Sequence, residues 1–193
     1  MALSTGSKKI KTAVFISGTG SNLQSLIKFS KLKKSPISIE MIVSNNPKSE
    51  GLSFGKIYSI KKDIFNFKKK ATAEKKILLK LEKNKIDLIC LAGFMKILSK
   101  NFILKFKGQI INIHPSLLPK YKGLNTHEKT IKNKDKYSGC TVHFVNSKLD
   151  SGKIILQKKV KIKKNDTPIS LAKKILAQEH KLYPKAILKI FNL

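Results

Sequence analysis

Lys11-Thr12-Ala13-Val14-Phe15-Ile16-Ser17 runs directly into Gly18-Thr19-Gly20-Ser21-Asn22, and the reading of this stretch decides the fold. The first seven residues have the length and apolar character of a strand. Two glycines then break the run, and Leu23, Leu26, Ile27 and Leu32 recur at spacings that stay on one face of a helix. A strand, a glycine-rich loop and a helix in that order form the first unit of an α/β fold. The loop itself has two readings. Its glycines would let the backbone approach an anion closely, with the N–H groups of Ser21 and Asn22 opening the helix toward it. Alternatively, it is a tight turn in which Ser21 or Asn22 caps the helix. It is neither a Walker loop, since no Gly-Lys-Ser/Thr follows, nor a dinucleotide fingerprint, since the third glycine is absent.

The same alternation continues along the chain. Ser35-Pro36 ends the first helix, and residues 37–43 alternate as a second strand before the turn chemistry of Asn45-Asn46-Pro47. A helix over residues 51–59 and a segment, 60–67, that fits either state precede a helix over 71–85 with Ile77, Leu78 and Leu81 inward. Residues 86–92 are the most sheet-like run, and Gly93 closes it. Ser99 is placed to cap a short helix ending at Phe106. Residues 110–113 read as a strand, 115–124 as a long loop and 125–132 as a helix. Residues 139–145 and 153–163 alternate like strands joined through Asp150-Ser151-Gly152, and Pro168 opens a last helix to about Lys181. The expected architecture is α/β: a three-layer, Rossmann-like, doubly wound and mostly parallel sheet. Residues 1–193 read as a single domain, with residues 1–10 a flexible extension, because no linker rich in Gly, Ser or Pro divides the chain.

Ligands of such folds bind beyond the carboxyl ends of the strands, and three polar clusters fall there: residues 18–22, residues 93–98, and Asn112 with His114. The strand of Ile110-Ile111-Asn112-Ile113-His114 stops at Pro115, which cannot donate to a sheet ladder. Asn112 and His114 are two residues apart and project to the same side of an extended strand. An amide donor beside a group that titrates near neutrality suits acyl-transfer chemistry. The other reading is an asparagine that caps a turn beside a structural histidine. Asp150 is a candidate partner that would raise the pKa of His114, or else it shapes a turn with Gly152. His143 alternates with apolar residues and reads as a satisfied structural histidine. His127 and His180 fall on helices with no metal-ligand partner four residues away, so no metal is expected.

The chain carries 41 basic against 11 acidic residues, a formal net charge of +30, and every basic residue is lysine. Proteins that read nucleic acid lean on arginine for bidentate contacts to guanine and phosphate, and lysine cannot reproduce that fork. The lysines are scattered, and together with abundant isoleucine and asparagine they match an AT-rich coding bias. A solvated lysine surface is therefore expected in preference to a specific nucleic-acid site, and it should draw anionic substrates in. Cys90 and Cys140 lie in apolar stretches without a C-x-x-C pair, which points to reduced, buried thiols and not to structural zinc. With no signal-like opening segment and no apolar run near the ~18 residues that span a bilayer, a cytoplasmic protein without membrane contact is expected.

Taken in order, residues 17–23, 91–95, 111–119, 121–127, 142–145 and 149–152, with Gln178-Glu179-His180, resemble the phosphoribosylglycinamide formyltransferases of the folate-dependent formyltransferase family. The resemblance runs from about residue 10 to the C-terminus. It implies transfer of a formyl group from 10-formyltetrahydrofolate to the amine of glycinamide ribonucleotide, a step of purine synthesis. It further implies Asn112 as donor to the developing oxyanion, His114 as the proton-transfer group and Asp150 as its orienting partner. Gly20, Ser21 and Asn22 would hold the substrate phosphate and Glu179 the ribose, while Lys70, Met95, Lys96, Ile97, Leu98 and Asn112 would contact the folate. The implied partners are these small molecules alone, with no metal, and the protein would act as a monomer or homodimer. Lys70 and Lys96 stand where the family commonly carries arginine, which keeps the charge but loses bidentate geometry. Lys122 and Asn125 replace a proline and a histidine common in the loop. The neighbouring formyltetrahydrofolate hydrolases usually add an N-terminal regulatory domain, and methionyl-tRNA formyltransferases a C-terminal nucleic-acid-binding one. Neither addition is expected here.

Overall fold

The computed structural model describes residues 9–192, so most of the expected N-terminal extension lies outside the described residues. Its last residue, Ile10, already belongs to the first strand, β1 (Ile10–Ile16), where its N–H donates to the Pro36 carbonyl. β1 is an interior strand of a seven-stranded sheet. The other strands are β2 (Ile37–Ser44), β3 (Lys61–Ile64), β4 (Leu88–Leu91), β5 (Gln109–His114), β6 (Tyr137–Phe144) and β7 (Ile154–Lys161), in the order β3-β2-β1-β4-β5-β6-β7. The first five run parallel, whereas β6 pairs antiparallel with both β5 and β7, so the sheet is mostly parallel as the alternation of elements implies.

The apolar run of β1 is continuous because both faces of the strand are covered. Val14 and Ile16 point into one core with α1 (Ser21–Ser30) and α6 (Pro168–Ile190), through Leu23, Leu26, Leu171, Ile175 and Tyr183. Ala13 and Phe15 point into the other, with α3 (Lys70–Lys83) and α4 (Lys100–Lys105), through Ala73, Ile77, Leu81 and Phe102. Two short helical segments, Glu50–Leu52 and α2 (Ser53–Ile57), fill the connection that was read as a helix over 51–59, and α5 (Thr126–Lys132) follows the long loop. Segment 60–67, open in the sequence, contributes the edge strand β3. Ser99 caps α4 by accepting from the Phe102 N–H.

The last helix differs from expectation. The sequence places its end near Lys181, and Pro184 lies three residues beyond, where an internal proline ordinarily breaks a helix. Instead α6 continues through Pro184 for 23 residues in all. Pro184 removes the N–H that would bond the carbonyl of His180, and the hydroxyl of Ser25 on α1 donates to that carbonyl at 2.9 Å instead. The neighbouring helix thereby satisfies the group that proline orphans. Ser25→Ala is expected to cost about 1 kcal/mol in urea denaturation, and distinctly less in a Pro184→Ala background, where the restored backbone N–H takes over the carbonyl. Equal costs in the two backgrounds would refute this account.

Candidate active site

Parallel pairing of β1, β4 and β5 brings the three polar clusters to one end of the sheet. Their loops are also bonded to one another. The Ser17 N–H donates to the Gly93 carbonyl at 3.1 Å, and the Met95 N–H donates to Ser17 Oγ at 2.8 Å. On the other side of the first loop, Asn46 Nδ2 donates to the Ser17 carbonyl, and Ser49 Oγ and the Gly51 N–H both donate to the Gly18 carbonyl. Residues 46–51 therefore take up the carbonyls of Ser17 and Gly18, where the loop begins. Asn45-Asn46-Pro47, read from sequence only as a turn, belongs to the support of this site, since Ser17 Oγ also donates to Asn45 Oδ1.

Gly20 has φ 76°, and a Cβ placed there would lie 2.7 Å from the Gly51 Cα, so both the backbone angle and the close approach require glycine. Gly20 is the N-cap of α1, and among the described residues no side chain bonds the first amides of the helix. This geometry departs from the reading in which Ser21 or Asn22 caps the helix. Donors at an uncapped helix start suit an anion. Asn22 does not turn its side chain that way: Nδ2 donates to Glu179 Oε2 on α6 at 2.7 Å, with both residues buried. Asn22 and Glu179 are thus brought together, and only the Asn22 backbone remains with the helix-start donors. Burial raises the Glu179 carboxyl above the ordinary glutamate value, against the Asn22 bond, which lowers it.

Asn112 lies between two neighbours on β5, paired with Leu91 of β4 in parallel register and with His143 of β6 in antiparallel register. Its Nδ2 is 3.2 Å from His143 Nε2, while His143 Nδ1 is 2.8 Å from the Phe144 carbonyl. A carbonyl can only accept, so Nδ1 carries the proton and Nε2 presents its lone pair to the Asn112 amide. Burial, and after it the nearby His114, holds His143 below the usual histidine value, against the Phe144 carbonyl and Asp150, which raise it. The neutral ring fixes which end of the Asn112 amide faces it. Sequence reasoning missed His143, which the strand alternation assigned to structure.

His114 is buried, with Nε2 2.8 Å from the Tyr121 carbonyl and Nδ1 3.4 Å from Asp150 Oδ2. Asp150 also accepts from the Gly123 N–H at 2.8 Å, and its Oδ1 is 3.7 Å from His143 Nε2. One carboxylate therefore addresses both imidazoles. The segment read as a long open loop, 115–124, is pinned by its own contacts: Thr141 Oγ1 donates to the Ser116 carbonyl, Gln157 Nε2 to the Leu118 carbonyl and Tyr121 Oη to Asp135. Asn125 is the N-cap of α5 at φ 61°, a left-handed conformation that asparagine tolerates. Lys122 Nζ donates to Ser151 Oγ beside Asp150.

Of the remaining expected site residues, Lys70 is the first residue of α3, and Met95, Lys96 and Ile97 are exposed in the loop after β4. Leu98 points into the core with Ala73 and Phe102, so its backbone is what faces the loop. Among the described residues no group of His, Cys, Asp and Glu could hold a metal ion, and no helix is long and apolar enough to cross a membrane. Cys90 and Cys140 are free and buried, and burial pushes both thiols up to about 12.

Comparison with known proteins follows the same lines. The family model for formyl transferase matches residues 10–187. A phosphoribosylglycinamide formyltransferase of Haemophilus influenzae is 42% identical over 180 residues, covering 92% of this chain and 85% of the relative. The human trifunctional purine biosynthetic protein adenosine-3 is 43% identical over 183 residues, which span 93% of this chain but 18% of that much longer protein. The crystal structure of a phosphoribosylglycinamide formyltransferase from Anaplasma phagocytophilum superposes with a TM-score of 0.88 at 42% identity, covering 93% of this chain and 85% of that one.

Three histidines share one electrostatic direction. His127, lowered by burial and by His114, and His180, lowered by burial and by Lys28, join His143 below the ordinary value. For a group with a depressed folded pKa, the unfolded chain takes up the proton first as pH falls. The stabilisation is complete above about pH 6.5 and is lost as pH drops below it. The urea midpoint is expected to fall between about pH 7.5 and about pH 5.5, and to fall less steeply in His143→Asn. An unchanged slope in that variant would show that His143 is not held neutral by the fold.

Proposed function

Because the chain belongs to the formyl transferase family and matches phosphoribosylglycinamide formyltransferases over most of their length, we propose that it formylates glycinamide ribonucleotide with 10-formyltetrahydrofolate. The observation that carries the mechanism is the Asn112 amide, held by neutral His143 beside the His114–Asp150 pair. An amide nitrogen has two hydrogens. His143 takes one, and the second is available to the formyl oxygen.

The substrate amine attacks the formyl carbon, a C–N bond forms, and the carbonyl oxygen becomes an oxyanion that Asn112 stabilises. His114, oriented by Asp150 and the Tyr121 carbonyl, moves a proton as the intermediate collapses: the attacking nitrogen gives up one proton and folate N10 gains one on leaving. The products are the formylated amide and tetrahydrofolate. A single oxyanion donor contributes about 3–4 kcal/mol, which is about 10²–10³-fold in rate. Donors at the start of α1, from Gly20 to Asn22, take the phosphate, and Glu179 takes the ribose hydroxyls. Lys70 and the Met95–Leu98 loop take the folate, with lysine supplying charge without arginine's fork.

This reading places the protein in the cytoplasm as a monomer or homodimer that draws both anionic substrates from solution, with no nucleic-acid partner. The purified protein is expected to form the formylated product. Asn112→Ala should lower kcat about 10²–10³-fold and His114→Ala about 10²-fold or more, with His143→Ala intermediate between wild type and Asn112→Ala. The wild-type kcat/KM should fall as salt screens the lysine surface. Release of formate without the amine substrate would select hydrolysis instead, and full activity in Asn112→Ala would remove the assigned oxyanion donor.

A further inference from the structure

Two glutamates are buried among the described residues, Glu179 and Glu74, and the proposed chemistry uses only the first. Glu74 lies on α3 with 5% of its surface exposed. Its Oε1 accepts from the Ser99 N–H at 2.8 Å and its Oε2 accepts from Ser99 Oγ at 2.5 Å, while Ser99 Oγ in turn accepts from the Phe102 N–H at 3.0 Å. Burying a carboxylate is costly unless hydrogen bonds offset the lost hydration, and two donors from one residue make a directional clamp. The clamp could merely cap α4, but Ser99 alone already performs that task through Phe102. What Glu74 adds is a tie between two separate elements.

Those elements carry the residues that the formyl-transfer reading assigns to the folate. Lys70 and Glu74 are four residues apart on α3, hence on one face of the helix. Ser99 closes the loop that begins at Gly93. At its start, the loop is fixed by the Ser17 bonds to Gly93 and Met95, and by Phe94 packed edge-on against Phe15 and Phe67. At its end, it is fixed by buried Leu98 and by Glu74. Between these anchors Met95 and Ile97 are each 62% exposed, an apolar pair that water solvates poorly and a flat ring system would cover.

Building on the formyl-transfer reading, we infer that Glu74 is a positioning residue for the folate: it holds α3, which carries Lys70, at a fixed distance from the Met95–Ile97 surface. It touches neither substrate, and the phosphate and ribose contacts lie on the opposite side of the sheet with α1 and α6. Its loss should therefore weaken one substrate and spare the other.

The test is steady-state kinetics of Glu74→Ala, Glu74→Gln and Ser99→Ala with both substrates varied. Glu74→Ala is expected to raise the KM for 10-formyltetrahydrofolate about tenfold, with the KM for glycinamide ribonucleotide unchanged and kcat within about threefold. Glu74→Gln should recover most of the loss, because its amide can accept from the Ser99 N–H and donate to Ser99 Oγ. If Glu74→Ala does not fold, Ser99→Ala carries the same KM split, and amide exchange at Ser99 and Phe102 in Glu74→Gln reports the clamp directly. A normal folate KM in Glu74→Ala or Ser99→Ala, or a parallel rise of both KM values, overturns the inference while leaving wild-type transfer intact. Absence of transfer by the wild type overturns the formyl-transfer reading and this inference with it.

Discussion

The antiparallel pairing of β6 against β5 is the constraint on which the rest of the site depends. Up to β5 the sheet is parallel, and a sixth parallel strand would have required another crossover helix. The reversal places His143 directly opposite Asn112. Opposed residues on one face of an antiparallel pair stand about 5 Å apart, close enough for an imidazole to hold an amide. That pairing sets the Asn112 amide without help from a mobile loop. Asp150 then meets both His114 and His143, so three side chains from two strands and one connection share a single polar cluster.

Burial is what makes this cluster specific, and it does so by opposite routes. His143 is driven toward its neutral form by burial, which leaves it a single donor and a single acceptor, both used. Glu179 is driven toward its protonated form by burial, and the Asn22 amide partly offsets that. The surface lysines contribute something different. Charges separated by more than a Debye length of about 8 Å are largely screened at physiological salt, so a net +30 acts on encounter rates more than on the geometry of the site. Under the formyl-transfer reading, recognition of the two anions therefore falls to local donors: the start of α1 for one, and Lys70 for the other.

Much of the fold was legible in the sequence because it is written in local periodicity. The β1 run, the glycines and the spacing of Leu23, Leu26 and Ile27 are short-range signals, and each element they imply is present. Asn112 and His114 were legible for the same reason, since spacing by two on a strand is local. His143 was not. Its neighbours give it the alternation of a core position, and only the register between β5 and β6 brings it to Asn112. The length of α6 was hidden likewise: Pro184 is a local stop signal, and the hydroxyl that cancels it comes from Ser25, at the far end of the chain. The backbone N–H of Asn22 is legible as a helix-start donor from its place in the loop, whereas its side chain follows a partner, Glu179, that the local sequence does not disclose.

The two cores flanking the sheet also separate the residues assigned to the two substrates. Asn22 and Glu179 belong to α1 and α6, packed on one face, whereas Lys70, Glu74 and the loop before Ser99 belong with α3 and α4 on the other. Under the formyl-transfer reading, the amine donor and the folate approach from opposite sides of the sheet and meet only at its carboxyl edge. β5 ends there, and Asn112 and His114 are the residues it supplies. Each core then carries the contacts to one substrate, since the side chains assigned to each lie on separate faces of the sheet. Among the described residues, two elements are shared by both assigned approaches: β1, whose loop runs from Ser17, bonded to Met95, to Gly20 at the start of α1, and β5. A small displacement of the Ser17 bonds would therefore disturb both substrates, whereas a change at Glu74 or at Glu179 would disturb one.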